Sequence, residues 1–240
     1  MPHILLTVHI VAGFVSLGSM LFPLLSRKGG ALHRRTGWVF VGGMTVVSLT
    51  AFSLAATRWL TDPTENGRTA GGFLLFVSLL TASGVSAGVR VLRFKSRTTV
   101  HWHPWDIGLA ASLFLASVAM AAWSFTGGPT VVVAYSVIGL LSGGSQLAYW
   151  LRPPVHPKHW WLEHMAAMGG SCIAATTAFL VVNAIQLGFG PLAPLAWIAP
   201  TLVGAPLISY RARAYRREWS AGGQSRPRRV DASAAAPGAH

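Results

Sequence analysis

Apolar residues run along the chain in seven blocks, at 4–25, 38–57, 71–92, 107–126, 130–151, 163–187 and 193–210, separated by stretches rich in Arg, Lys, His, Pro and Gly. A helix rising 1.5 Å per residue needs about twenty apolar residues to cross a ~30 Å hydrocarbon core, and the blocks are of that order. The pattern predicts an all-α fold: a polytopic transmembrane helix bundle of about seven helices. Pro194, Pro200 and Pro206 interrupt the seventh block, where neighbouring helices can satisfy the freed carbonyls and a kink is expected. The first block has no charge ahead of its apolar run and no clear small-x-small cleavage site, so it reads as a retained helix.

Composition agrees with the spans. Hydrophobic residues make up 52% and charged residues 10% of the 240 positions, against the roughly 25% charged fraction of soluble domains. Past about Trp219 the chain turns to Ser, Ala, Gly, Pro and Arg, too poor in apolar surface to offset its ordering entropy. The expected division is a helical membrane domain at 1–215 and a disordered basic cytoplasmic tail at 216–240.

The formal charge of +13 would point to nucleic acid in a soluble protein. Here its placement points elsewhere. Seventeen of the nineteen Lys and Arg fall at the loops after odd-numbered blocks or in the tail, leaving Arg58 and Arg68 on the other side. The positive-inside rule then puts the N-terminus outside and the C-terminus in the cytoplasm of a cell membrane, multi-pass. Trp38, Trp102, Trp105, Trp150, Trp160 and Trp161 near inner ends, with Trp59, Trp123 and Trp197 near outer ends, form the expected aromatic belts. The partners implied are the lipid bilayer and anionic lipid headgroups, and nothing requires nucleic acid. The lone Cys172 excludes an intramolecular disulfide.

Small residues at four-residue spacing, Gly84 with Gly88 and Gly139 with Gly143, are expected to let helices approach closely within the chain. Sliding the first block onto the fifth gives a second pattern. An offset of 126 aligns Val11 with Val137, Gly13 with Gly139, Ser16 with Ser142, Gly18 with Gly144 and His33 with His159, among eight identities in 23 positions. Either this is a parallel repeat about an axis along the membrane normal, or it is chance matching of small residues. If a repeat, His33 and His159 are equivalent ends of two helices and should converge.

Six of the nine histidines, His33, His101, His103, His156, His159 and His164, lie on the side read as cytoplasmic. Imidazole binds metals and haem iron and titrates near neutrality, so a cluster there could hold haem b or a transition metal. His33, His159 and His164 are the preferred cofactor ligands. His164, Met168 and Cys172 form a stripe at helical spacing whose donors suit haem iron or soft copper, although Met and Cys fill apolar helix contacts equally well. His9, inside the first block, is a polar intramembrane candidate; Asn183 and Gln186 are possible partners at its depth, as is Tyr135 through the repeat. The chain has no phosphate-cradling loop, no nucleophile elbow and no carboxylate in the middle of a span.

Several of these residues carry a family likeness: His9-Ile10 with Gly13, Lys28-Gly29 followed by His33-Arg34-Arg35 and Gly37, and His164-Met165 with Met168-Gly169-Gly170-Ser171, Thr177-Ala178-Phe179 and Asn183. On them the chain resembles a family of uncharacterised bacterial multi-pass membrane proteins defined as a domain of unknown function. The resemblance implies the membrane fold and draws attention to His9, His33 and His164, but implies no activity. The expected function is a haem- or metal-binding redox protein with its histidine cluster near the cytoplasmic face. The alternatives are a cofactor-free protein that binds or transports a small molecule or lipid, and a membrane metal enzyme of the histidine-box kind.

Overall fold

A computed structural model describes residues 2–125, 130–192 and 195–224. Among them are seven α-helices: α1 (Pro2–Leu25), α2 (Ala31–Thr61), α3 (Glu65–Arg90), α4 (Pro104–Phe125), α5 (Thr130–Leu151), α6 (His159–Val182) and α7 (Leu195–Gln224). Six of these, α1 to α6, are long and apolar enough to cross a membrane. The seventh forms a continuous helix through Pro200 and Pro206 but does not reach that standard, because prolines dilute its apolar stretch and Arg211 soon follows it. The seven helices expected are present, and six of them qualify as membrane spans by length and hydropathy.

The helices begin and end where local chemistry dictates. α2 and α3 are joined by three residues: Asp62 accepts hydrogen bonds from the Thr64 amide (2.9 Å) and hydroxyl (2.6 Å), while the Thr64 hydroxyl caps α3 by accepting from the Gly67 amide at 3.0 Å. The Thr64 hydroxyl and amide hold the Asp62 carboxyl below the usual carboxylate range. Inside the helices, buried Ser16, Ser48, Ser117 and Ser171 each donate to the carbonyl four residues back. Their hydroxyls are therefore satisfied without a partner helix, and the small side chains let neighbouring backbones come close.

Packing gives the architecture. α1, α2, α3 and α6 form a closed ring in which α1 touches α2 and α6, and α3 touches α2 and α6. This leaves α2 and α6 facing each other across a four-helix bundle, with α1 and α3 on the other diagonal. Met20, Phe40, Met44 and Val85 fill its centre, and Met168, Cys172 and Ala175 of α6 pack against them. The α4–α5 hairpin lies against α3, and α7 lies along α6. The short connection between α4 and α5, for which the sequence offers Gly127 to Pro129, lies outside the described residues.

The glycine pairs serve contacts within the chain. Gly84 faces Ser171 of α6, and Gly88 faces Met168 and Ala167; Gly143 lies against the backbone of Phe114 in α4. By contrast, the helices matched by the 126-residue offset are not equivalent: α1 packs on α2 and α6, whereas α5 packs on α4 and α3. Gly13 is open, yet its counterpart Gly139 is pressed against Ser117 and Phe76.

The chain also stays helical further than its composition foretold. α7 continues to Gln224, into the segment expected to be disordered from 216. Aromatic contacts explain why: Tyr215 meets Trp161 and Trp219, and Trp219 stacks on His156 with ring centres 5.1 Å apart. Residues 225–240 lie outside the described residues.

Candidate functional site

The histidine pair stands at the end of the bundle where α1 and α3 finish and α2 and α6 begin. His33 lies in the first turn of α2, and His164 one turn further into α6. Their ring centres are 6.4 Å apart, with the planes inclined at 63°. Each ring is tethered by a helix on the other diagonal: His33 Nδ1 is 3.2 Å from the Pro23 carbonyl of α1, and His164 Nδ1 is 2.7 Å from the Gly88 carbonyl of α3. Both carbonyls belong to the last turn of their helix, where the helical ladder leaves oxygens without amide partners.

A carbonyl can only accept, so in both neutral rings Nδ1 carries the proton and Nε2 carries the lone pair. Neither Nε2 has a hydrogen bond among the described residues. Two half-buried imidazoles thus present unshared lone pairs at one end of the bundle. Gly88 matters here because α6 comes so close that Met168 occupies the space a side chain would need.

The charge around the pair is positive. Lys28 donates to the carbonyls of Pro23 and Leu24, both at 2.7 Å, and so caps α1 beside His33. Burial lowers the pKa of its ammonium, with the nearby Arg211 of α7 adding to the effect. Arg34 and Arg35 follow His33 directly and are exposed.

His159 does not share the arrangement. Its Nδ1 is 2.8 Å from the Tyr149 hydroxyl of α5, and its buried Nε2 has no well-formed hydrogen bond among the described residues, although the Lys95 and Arg97 backbones lie close to the ring. Five residues along a helix turn a side chain by about 140°, so His159 and His164 leave α6 in different directions. Among the described residues no group of three or more His, Cys, Asp or Glu side chains is disposed to share a metal ion. His9 sits apart in α1, where its Nδ1 lies 3.0 Å from the Thr50 hydroxyl of α2. That hydroxyl donates to the carbonyls of Val46 and Val47, so it accepts from His9. Asn183 instead donates to Phe179.

A second polar constellation went unread in the sequence. Asp106, buried at the start of α4, receives Arg90 Nε and Nη2, both at 2.6 Å, and lies 2.8 Å from His101 Nε2. Arg97 bridges three carbonyls, those of Thr99, Tyr149 and Arg152. These two arginines were counted only as surface charge, yet they bind α3, α4 and α5 together. The available signal was Asp106 itself, the lone acidic residue between Glu65 and Glu163.

Fold and composition define a multi-pass helical membrane protein in contact with the lipid bilayer, carrying a paired-imidazole site at one end of a four-helix bundle. Compared with protein-family models, curated proteins and solved structures, the chain matches none.

Proposed function

We propose that this protein binds one haem b through His33 and His164 and works in electron transfer at the membrane. The observation that carries the reading is the pair itself: ring centres 6.4 Å apart, both Nδ1 atoms engaged by backbone carbonyls, and both Nε2 lone pairs unclaimed. His33 and His164 would hold the iron through their Nε2 atoms. A carbonyl bonded to the distal ring nitrogen fixes tautomer and orientation, as at metal-bound histidines generally.

The donor set fits haem better than a bare ion. Structural zinc takes four protein ligands and catalytic zinc three, whereas haem iron is already bound by its porphyrin and would need only His33 and His164 from the protein. The iron would supply a one-electron couple. The chain's part is to hold the two rings from diagonal helices, keep Nε2 deprotonated, and set Lys28 and Arg211 nearby, where haem carboxylates would be balanced. His159 is left out of the ligand set.

The likeness to the uncharacterised bacterial family belongs to the same proposal, since His33 and His164 are two of the three histidines it singles out. We also read the paired end as cytoplasmic, with the N-terminus outside, from the distribution of basic residues. The exposed Ile198, Leu202, Val203 and Leu207 of α7 would then face lipid beside α6 as a seventh crossing, and the exposed arginines would meet anionic headgroups.

The test is visible absorption of detergent-purified protein expressed with ample haem. A Soret band at about one haem per chain is expected; a colourless preparation would overturn the proposal.

A further inference from the structure

A cavity of about 480 Å³ opens at the end of α3 remote from the histidine pair, between the last turn of α2, the first turns of α3 and the last turns of α4. Its lining changes along the helices: Glu65 and Arg68 come from the first turn of α3, Trp59 and Trp123 from near the ends of α2 and α4, and Leu75 and Met120 lie further from those ends. Glu65 to Leu75 spans ten residues of helix, about 15 Å along the axis.

Glu65 and Arg68 have no ion-pair partner among the described residues, whose salt bridges are Arg58 with Asp62 and those converging on Asp106. Arg68 is within electrostatic reach of Asp62, but that carboxylate is already held by Arg58 and Thr64. Glu65 and Arg68 are three residues apart, on one face of the helix. A carboxylate and a guanidinium side by side, both open to solvent, complement a headgroup that carries one charge of each sign. The exposed Trp59 indole suits the membrane interface, and its face attracts a cation. Gly72 lies beside the Trp59 indole, whose Cδ1 and Nε1 an added Cβ would meet at 3.8 Å, so a longer side chain there would enter the cavity.

We propose that this cavity binds a zwitterionic phospholipid with a primary ammonium headgroup, a phosphatidylethanolamine. Its phosphate sits at Arg68, its ammonium donates to Glu65 beside the Trp59 indole, and one acyl chain follows Leu75 and Met120. A trimethylammonium head has no N–H to donate to Glu65, and a glycerol head has no positive charge for it. The site does not depend on the haem reading and lies on the opposite end of the bundle.

The test is native mass spectrometry of delipidated full-length protein, titrated with phosphatidylethanolamine, phosphatidylcholine and phosphatidylglycerol of identical acyl chains. Phosphatidylethanolamine should bind about tenfold more tightly than the other two, the effect of one charge-assisted hydrogen bond. Arg68→Gln should weaken it by about the same factor, and Glu65→Gln should erase its advantage over phosphatidylcholine while leaving phosphatidylcholine binding unchanged. Gly72→Leu should block all three at this site; because it could perturb packing, the two exposed charge variants, checked by far-ultraviolet circular dichroism, decide the matter. Equal binding of the three lipids, a preference for phosphatidylglycerol, or an Arg68→Gln protein that binds as the parent does would each overturn the proposal. So would glycerophosphoethanolamine, which lacks acyl chains, binding as tightly as the whole lipid.

Discussion

His33 and His164 face one another with ring centres 6.4 Å apart, each steered by a carbonyl from a helix that is not its own. Neither helix of that diagonal orients its own imidazole. The pair therefore depends on all four helices, and loosening any of them should be felt at the site before the bundle unfolds.

The ligand assignment predicts an asymmetry among three histidines. His33→Ala and His164→Ala should each weaken and shift the Soret band, because each removes one of the two imidazoles that would hold the haem. His159→Ala should keep it, since that ring is engaged by Tyr149. Reduced-minus-oxidised difference spectra check the outcome, and loss of haem in the His159 variant alone would reverse the assignment.

Glycines give a stability contrast. A Cβ at Gly143 would stand 2.8 Å from the Phe114 amide nitrogen and 3.0 Å from its Cα, which a side-chain rotation cannot relieve. Gly143→Ala should cost about 1–3 kcal/mol, as overpacking typically does. Gly42 has nothing within 4 Å, so Gly42→Ala should be neutral or slightly stabilising. Midpoints of unfolding in mixed micelles of sodium dodecyl sulfate distinguish the two.

Removing one partner of the Arg90–Asp106 pair should be more damaging. The Asp106 side chain is 2% exposed and that of Arg90 16%, so Asp106→Ala strands a guanidinium beside Phe94. The expected loss is about 3–5 kcal/mol, the range for breaking a buried pair. The double variant Arg90→Met, Asp106→Leu should recover much of it, and thermal unfolding of both variants in detergent provides the measurement.

Orientation can be tested without reference to function. A reporter active only in the cytoplasm should work when inserted near Gly30 or fused after Tyr215 and fail near Gly128. The reverse pattern would invert the topology read from the basic residues.

The intramembrane contact of His9 should be worth little. A double-mutant cycle on His9→Phe and Thr50→Val is expected to give a coupling of about 0.6 kcal/mol, the average for hydrogen bonds between membrane helices. A coupling several times larger would mark His9 as more than a tie between α1 and α2.

The membrane class, the helix count and most helix positions were legible in the chain, because a bilayer imposes length and hydropathy on each crossing separately and each block could be read alone. His33 and His164 were legible as candidates for a similar reason: an imidazole at the end of an apolar block is conspicuous by itself. Which histidines meet was not legible. The 126-residue offset paired His33 with His159, but partnership across a bundle depends on which helices are diagonal and on rotation about each axis, and the hydropathy of α6 barely constrains that rotation. The tertiary structure turned His164 toward His33 through the Gly88 carbonyl and turned His159 toward Tyr149. It likewise drew Arg90 inward onto Asp106, where charge counting had left it at the surface. A residue's polarity is a local property written in the chain; its partner is settled only when several helices, none of which specifies the others' rotation, pack at once.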